Sequence, residues 1–406
     1  MRVEIGLRVD MIGDVAGGVR IEGRAARKFR FHRSHLQRSA SRPYPCSRRP
    51  SQLLRRETGA QLAKRRRYLA IGRDALEVAL PRLSVIVVNF NAGARLARCV
   101  ERLSLQTFKD FELLIVDNGS SDDSIDRARA LQVPVVIDLV GANLGFAAAN
   151  NRAAKRAKGE WLVFLNPDAY AEPEWLAELV AGAGRYPWAD AFGSTQLNAD
   201  DPSRIDGAGD VFHALGVAYR GCFGWPAKKL PPEGECFSPC AAAAMYRRAT
   251  FEALGGFDER FFCYAEDVDL GFRLRLSGGR AVQLRGARVL HEGSGVAGRH
   301  SAFTVYHGHR NRIWTAYKNL PAELYLATLP LRLLTDLALV FRAVAGGYVG
   351  PYLKALADGY AAPRGIIDAR REIQKARRAS VGEIAAAIQW SPAKLARRAP
   401  DIRPIR

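Results

Sequence analysis

The sequence predicts an α/β fold built on a Rossmann-like, mostly parallel sheet flanked by helices, with an irregular basic extension before it and a helical extension after it. Two observations carry this expectation. From Leu83 to Leu165, β-branched apolar runs alternate with helical runs, and a strand opens about every thirty residues, the rhythm of right-handed βαβ crossovers. The strand runs are apolar at consecutive positions, as strands buried on both faces must be.

The elements follow in order. Leu83-Ser84-Val85-Ile86-Val87-Val88-Asn89 reads as the first buried strand. Residues 94–105 read as a helix, with Leu96, Val100 and Leu103 at helical spacing. Phe111 to Asp117 is a second strand, followed by the turn Asn118-Gly119-Ser120-Ser121-Asp122, in which Ser121 suits a helix cap. Val133 to Ile137 is a third strand, residues 146–157 an Ala-rich helix, and Trp161 to Leu165 a fourth strand. Between about 185 and 250 the pattern weakens. There Phe237 to Met245 reads as a strand before an Arg247-Arg248 turn, and Tyr219 and Trp225 read as sugar-stacking or core aromatics.

Ligands of such sheets bind beyond the carboxyl ends of the strands. In this chain the first strand ends in Asn89-Phe90-Asn91, the second in Asp117-Asn118 and the fourth in Asn166-Pro167-Asp168. Neither Gly-x-Gly-x-x-Gly nor a Walker A sequence is present, so a dinucleotide-binding domain and a phosphate loop are not expected. A carboxylate at a strand end, such as Asp168, suits a hard divalent cation, which would neutralise a diphosphate. A hundred residues on, Phe262-Cys263-Tyr264-Ala265-Glu266-Asp267-Val268-Asp269 sets three carboxylates within four positions. Three anions this close repel one another, and a fold retains them where it needs a base or a cation site.

Seven segments occur in a fixed order: Leu83–Asn91, Val116–Asp122, Asn143-Leu144-Gly145-Phe146, Leu165–Asp168, Gly255–Asp258, Glu266–Leu270 and Val289-Leu290-His291. Together they resemble a family 2 glycosyltransferase of the A-type fold, in its rhamnosyltransferase-like branch, over residues 83–319. The resemblance implies an inverting transfer of a sugar, with dTDP-rhamnose as the branch-level donor. The acceptor would be a glycan or lipid-linked glycan of the cell envelope. It implies a divalent cation, Mg2+ or Mn2+, held by Asp168 and His291, with Asn166 as a weaker neutral ligand. Asp117 would meet the nucleobase, and Asn89, Asn91, Asn143, Gly145 and Asn166 would line the nucleotide site. Asp267 would be the general base beside Glu266, with Glu266 and Asp269 raising its pKa by like-charge repulsion. The pair Arg310-Asn311 would lie near the diphosphate or cap the C-terminal helices.

The domain organisation expected is a basic extension over 1–80, a catalytic domain over 81–319 and a helical region over 320–406. Net charge is +20, of which residues 1–80 supply +12, including the block Lys64-Arg65-Arg66-Arg67. That extension reads as an irregular tail, as sequence upstream of the true start, or as a contact for an anionic surface. No secretory signal is evident in the first twenty residues. The six cysteines (46, 99, 222, 236, 240 and 263) form no Cys-x-x-Cys pair and read as reduced thiols of a cytoplasmic protein.

The longest stretch free of charged residues, Leu139–Asn151, is too short and too rich in asparagine to span a membrane, so no spanning segment is expected. Residues 322–345 read as a long helix with a broad apolar face and a narrow polar stripe of Thr328, Arg332, Thr335 and Arg342. Such a helix packs on its own protein or lies in a membrane interface, peripheral to an anionic inner leaflet. Two rival classes are a nucleotide-sugar nucleotidyltransferase and a non-catalytic nucleic-acid-binding protein. The first lacks its Gly-rich basic loop at residues 89–95, and the second is opposed by the acidic cluster, so no specific nucleic acid is expected as a partner.

Overall fold

The computed structural model describes residues 80–293 and 301–405. The basic extension, with Lys64–Arg67 and Cys46, falls outside the described residues apart from Leu80. Twelve described strands are β1 (Leu83–Asn89), β2 (Phe111–Asp117), β3 (Val136–Leu139), β4 (Trp161–Leu165), β5 (Ala169–Ala171), β6 (Ala191–Asn198), β7 (Ile205–Gly207), β8 (Asp210–His213), β9 (Val217–Arg220), β10 (Gly234–Cys236), β11 (Ala243–Arg247) and β12 (Ala281–His291). Ten of them form one sheet whose main path runs β10-β12-β6-β11-β4-β1-β2-β3. β4, β1, β2 and β3 are parallel, as are β12 and β6, while β11 runs antiparallel between β4 and β6. The parallel half is the part whose β-branched runs are plainest in the sequence.

Helices cover both faces of this sheet. α1 (Ala94–Ser104), α2 (Ser124–Arg129), α3 (Phe146–Ala154) and α4 (Trp175–Arg185) follow the first strands; α5 (Arg248–Ala253) and α6 (Glu266–Leu276) follow β11. Leu96, Val100 and Leu103 of α1 pack with Trp175 and Leu179 of α4 on one face, against Val85, Val87 and Val163. On the other face Ala149 and Ala153 of α3 pack with Phe251, Phe257 and Leu270 against Ile86, Leu162 and Phe164. Small alanines on α3 let it lie close to the sheet.

The chain ends in six helices: α7 (Ala302–Asn319), α8 (Ala322–Ala345), α9 (Val349–Tyr360), α10 (Arg364–Ala376), α11 (Val381–Ala387) and α12 (Pro392–Ala396). They stay with the catalytic elements. Ala316 and Leu320 pack with Val268 and Phe272 of α6, and the final segment returns to bridge Arg403 to Glu235.

Several boundaries differ from expectation. β3 begins at Val136 rather than Val133, because it is an edge strand with partly exposed residues and a weak apolar signal. The helix expected to reach 157 stops at Ala154. The strand expected over Phe237–Met245 is confined to Ala243–Arg247, since Pro239 has no N–H to give a ladder.

α8 gives the largest difference. By length and composition it is long and apolar enough to cross a membrane, which corrects the expectation of no such segment. The expectation failed because Arg332 and Asp336 interrupt the apolar run. Both are buried, Asp336 paired with Arg312 and Tyr360, and Arg332 over the Tyr325 ring at 3.9 Å. Thr328, Arg332 and Asp336 therefore face the protein, Arg342 at the far end of the stripe is exposed, and the apolar face points out.

Candidate active site

Strand pairing assembles the first half of the site. β5 pairs antiparallel with β12 so that His291 stands opposite Ala169, next to Asp168. β7 pairs with β6 and carries Asp206 to the same edge. In the small β8–β9 sheet Asp210 stands opposite Arg220. The result is a buried relay. His291 Nδ1 lies 2.7 Å from Asp206 Oδ2, and its Nε2 lies 3.4 Å from Asp168 Oδ1. Arg220 forms an ion pair with the same Asp206. Burial opposes protonation of His291, but Asp168 and Asp206 outweigh it and hold the imidazole pKa above its usual value.

The second half comes from the loop before α6. Three of its residues that are not glycine have left-handed φ: Phe262 at 64°, Tyr264 at 74° and Ala265 at 65°. Such conformations cost on the order of 1–3 kcal/mol each and persist only where the surroundings enforce them. Asn311 on α7 does so. Its Nδ2 donates to Phe261 O at 2.9 Å, and to Cys263 O and Tyr264 O at 2.8 Å. Arg310 adds a bond to Phe261 O at 3.1 Å. The Arg310-Asn311 pair is thus a clamp on this loop, a placement that neither of the two expectations for it described. Gly145 completes the fit from the other side: at φ +84° its backbone sits so near the loop that a Cβ would come 2.6 Å from Phe262 O. Asn311→Ala is expected to lower turnover by roughly 10²-fold through a misplaced loop, with the donor KM little changed. Steady-state kinetics with intact folding would check this; equal losses in kcat and donor affinity would contradict it.

α6 then opens with Glu266, Asp267 and Asp269 in its first turn, where the helix dipole favours anions. The three carboxylates separate by direction. Asp267 is held by two backbone donors, Ala241 N at 3.0 Å and Val268 N at 2.8 Å. Glu266 is buried with Oε2 lacking a partner; burial first, then the charge of Asp267, push its pKa well above the usual carboxylate range. Asp269 turns away and pairs with Arg273 and Lys318, both at 2.8 Å. The expected repulsion of Asp267 by Asp269 does not fit this placement, because two cations already compensate Asp269.

A cavity of about 700 Å³ joins the two halves: Asn166, Asp206, Asp210 and Arg220 share its wall with Glu266 and Asp267. Asp210 is pushed well above the usual range by burial and by Asp267, while Arg220 pulls it back. Sequence reasoning missed Asp206, Asp210 and Arg220. The spacing in Asp206-Gly207-Ala208-Gly209-Asp210 looks like turn chemistry, and only strand pairing reveals its role.

Two places gather ligand-type atoms. Asp210, Cys240 and Asp267 offer atoms within 4.8 Å of one another. The Cys240 thiol is held protonated by burial, and the Arg220 guanidinium already supplies positive charge there. The Asp168–His291 pair fits a hard cation better. Its buried Nε2 has no hydrogen-bond partner, its N–O spacing suits two ligands with bonds of roughly 2.1 Å, and Asp206 orients the imidazole.

The remaining candidates form a rim at the carboxyl ends of β1 to β3. Asn89 is fully buried and donates to Asp117 Oδ1 at 2.9 Å and to Ser124 Oγ at 2.8 Å. Asn91 accepts from Ser121 N at 2.8 Å, and Asp117 accepts from Ser120 N at 3.2 Å. Asn143 accepts from Asn118 and from Gly145 N. Of the nucleotide-site candidates, only Asn166 reaches the cavity wall itself. Trp225 and Tyr219 donate to Arg397 O and Ala399 O, and Tyr219 also lines the cavity.

A mostly parallel sheet with a carboxylate-lined cavity at its strand ends, and an acidic helix start contributed from later in the chain, is the arrangement of the A-type glycosyltransferase fold. Residues 84–255 match the family model for glycosyl transferase family 2. The chain is 32% identical over 259 residues to an N-acetylglucosaminyl-diphospho-decaprenol L-rhamnosyltransferase of Mycobacterium tuberculosis, covering 56% of this chain and 82% of that protein. It is 35% identical over 232 residues to the O-antigen biosynthesis protein RfbC of Myxococcus xanthus, covering 53% of this chain and 17% of that one. A solved mannosyltransferase from Pyrobaculum calidifontis, in complex with GDP-Man and Mn2+, is similar at TM-score 0.46 and 18% identity, covering 81% of this chain and 93% of that one. The chain belongs to glycosyltransferase family 2, in its rhamnosyltransferase-like branch, and is a glycosyltransferase.

Proposed function

We propose that this enzyme transfers a sugar, rhamnose from dTDP-rhamnose as the branch-level choice, with inversion onto a hydroxyl of a lipid-linked glycan in cell-envelope synthesis. The acceptor follows from the similarity to the diphospho-decaprenol rhamnosyltransferase. The observation that carries the mechanism is the shared cavity wall, which presents Asp267 together with Asp206, the residue that orients His291.

Asp267 takes the proton of the acceptor hydroxyl. The freed oxygen bonds to the anomeric carbon from the face opposite the leaving group, and the carbon–phosphate oxygen bond breaks with its electron pair going to the nucleoside diphosphate. Burial and the neighbouring Asp267 both disfavour charge on Glu266, which limits negative charge beside the base. Arg220 compensates Asp206 and Asp210, so that Asp267 works beside a balanced set. Asp117, with Asn89, Asn91, Asn143 and Gly145, shapes the nucleoside end, and Asn166 sits between that rim and the base. Asp168 and His291 would hold a divalent cation, which when bound supplies positive charge to the diphosphate.

Release of nucleoside diphosphate coupled one-to-one to a glycosylated acceptor tests the reading; release of pyrophosphate would instead indicate nucleotidyl transfer. Asp206→Asn is expected to weaken divalent-cation affinity about 10–100-fold by freeing the imidazole to turn. The Mn2+ concentration giving half-maximal turnover measures this, and an unchanged value would exclude the orienting role.

A further inference from the structure

The far end of the cavity is cationic. Besides the acidic residues, Arg312, Arg342 and Arg398 line it, and all three come from the C-terminal part of the chain. Arg312 is spoken for by Asp336, although its buried Nε lacks a hydrogen-bond partner. Among the described residues no carboxylate pairs with Arg342 or Arg398; the latter lies over the Phe223 ring at 5.2 Å. Like charges gathered on one wall without counter-ions repel one another, and an anionic ligand relieves that. The crowding is legible at two neighbours. Burial, then Arg342 and Arg220, lower the pKa of Arg398; burial, then Arg312, with Arg342 further adding, push the His309 imidazole down to about 4 despite the opposing pull of Asp336.

Arg342 also sits on α8, the helix whose apolar side faces outward. Leu326, Leu333, Leu334, Leu337, Phe341 and Val344 recur at helical spacing on that side, with Leu326 65% and Phe341 67% exposed. Thr328, Arg332 and Asp336 occupy the opposite, buried side. An exposed apolar stripe of this length marks an interaction site. Arg342, which lines the cavity, lies in sequence between Phe341 and Val344 at the C-terminal end of that stripe.

We propose that Arg342 and Arg398, backed by Arg312, form an anion subsite for the phosphate groups of an isoprenoid-diphosphate acceptor, whose hydrocarbon chain leaves along the exposed face of α8 toward the bilayer. This deepens the proposed function and rests on it for the glycan, but the subsite itself is defined by charge and apolar surface alone. Guanidinium pairs suit phosphate oxygens through bidentate hydrogen bonds. A lipid diphosphate supplies both the phosphate oxygens for the arginines and a hydrocarbon chain for the adjoining apolar stripe.

Binding of farnesyl diphosphate, farnesol and dTDP to the full chain tests it by calorimetry, with R342Q, R398Q and the double variant. Melting temperatures confirm that the variants fold. The expected result is a tenfold or larger loss of farnesyl diphosphate affinity in each single variant, a larger loss in the double variant, and unchanged farnesol and dTDP binding. Failure of the wild type to bind farnesyl diphosphate, or binding indifferent to both substitutions, would overturn the proposal. A loss confined to dTDP would assign the arginines to the donor and overturn it equally. Wild-type binding with this dependence, but no sugar transfer in any assay, would leave the subsite standing and refute the transferase reading instead.

Discussion

Asp267→Asn is expected to lower turnover by roughly 10²–10⁴-fold while leaving nucleotide-sugar affinity nearly unchanged. The reason is positional. Asp267 lines the cavity and is held by backbone donors alone: Asp269 is tied to Arg273 and Lys318, and burial disfavours charge on Glu266, which shares the cavity wall. Both oxygens of Asp267 accept backbone N–H groups, and each retains a lone pair for a proton from the acceptor. Asparagine keeps the size but can satisfy only one of the two backbone donors, so a modest loss of thermal stability should accompany the kinetic loss. Asp267→Ala separates the two effects, since it leaves both donors unmet yet should lose no more turnover than the Asn variant. A turnover within tenfold of wild type in either variant would remove Asp267 from the role of base.

Lys318→Met is expected to destabilise the catalytic unit by about 3–5 kcal/mol, because it leaves buried carboxylates without their cation. Lys318 is 1% exposed and bridges Asp258, at the turn before the strained loop, to Asp269 on α6. Denaturant titration followed by tryptophan fluorescence measures the loss; a change below about 1 kcal/mol would show that Arg260 and Arg273 suffice for the two carboxylates. The same cluster predicts a pH dependence. Burial disfavours the charge on Asp258, but Arg260 and Lys318 outweigh it and hold its carboxyl well below the usual range. A carboxyl depressed in the folded state stabilises fully above its unfolded pKa of about 4, and that contribution fades as pH falls toward the folded value. Wild-type stability should therefore drop below about pH 4, and the Met variant should show a shallower drop there.

The parallel half of the fold was legible because buried β-branched runs leave a signal that does not depend on neighbours: β1, β2 and β4 appear where the sequence places them. Asp168, His291 and Asp267 stand out in the sequence as candidates because each lies at the end or start of a strongly patterned element. Asp206, Asp210 and Arg220 do not. They lie on strands of three or four residues whose positions come from pairing with distant partners. Nor does the clamp by Asn311, since nothing local to a helix announces that its amide meets three carbonyls some fifty residues earlier. On α8 the sequence shows the helix and its broad apolar face, but not which way that face turns. A polar stripe ordinarily faces water, but here Arg332 and Asp336 find buried partners, and the apolar side is turned outward.

The anomeric configuration of the product tests the central claim most directly. Transfer from dTDP-rhamnose to a glycosyl diphosphate-lipid acceptor, followed by NMR of the new linkage, reports whether the attacking oxygen entered opposite the leaving group. With Asp267 as a base that activates the acceptor for a single displacement, the product must carry the configuration opposite to that of the donor. A product with the donor's configuration retained would require two displacements or a front-face attack, and would contradict the assignment of the site.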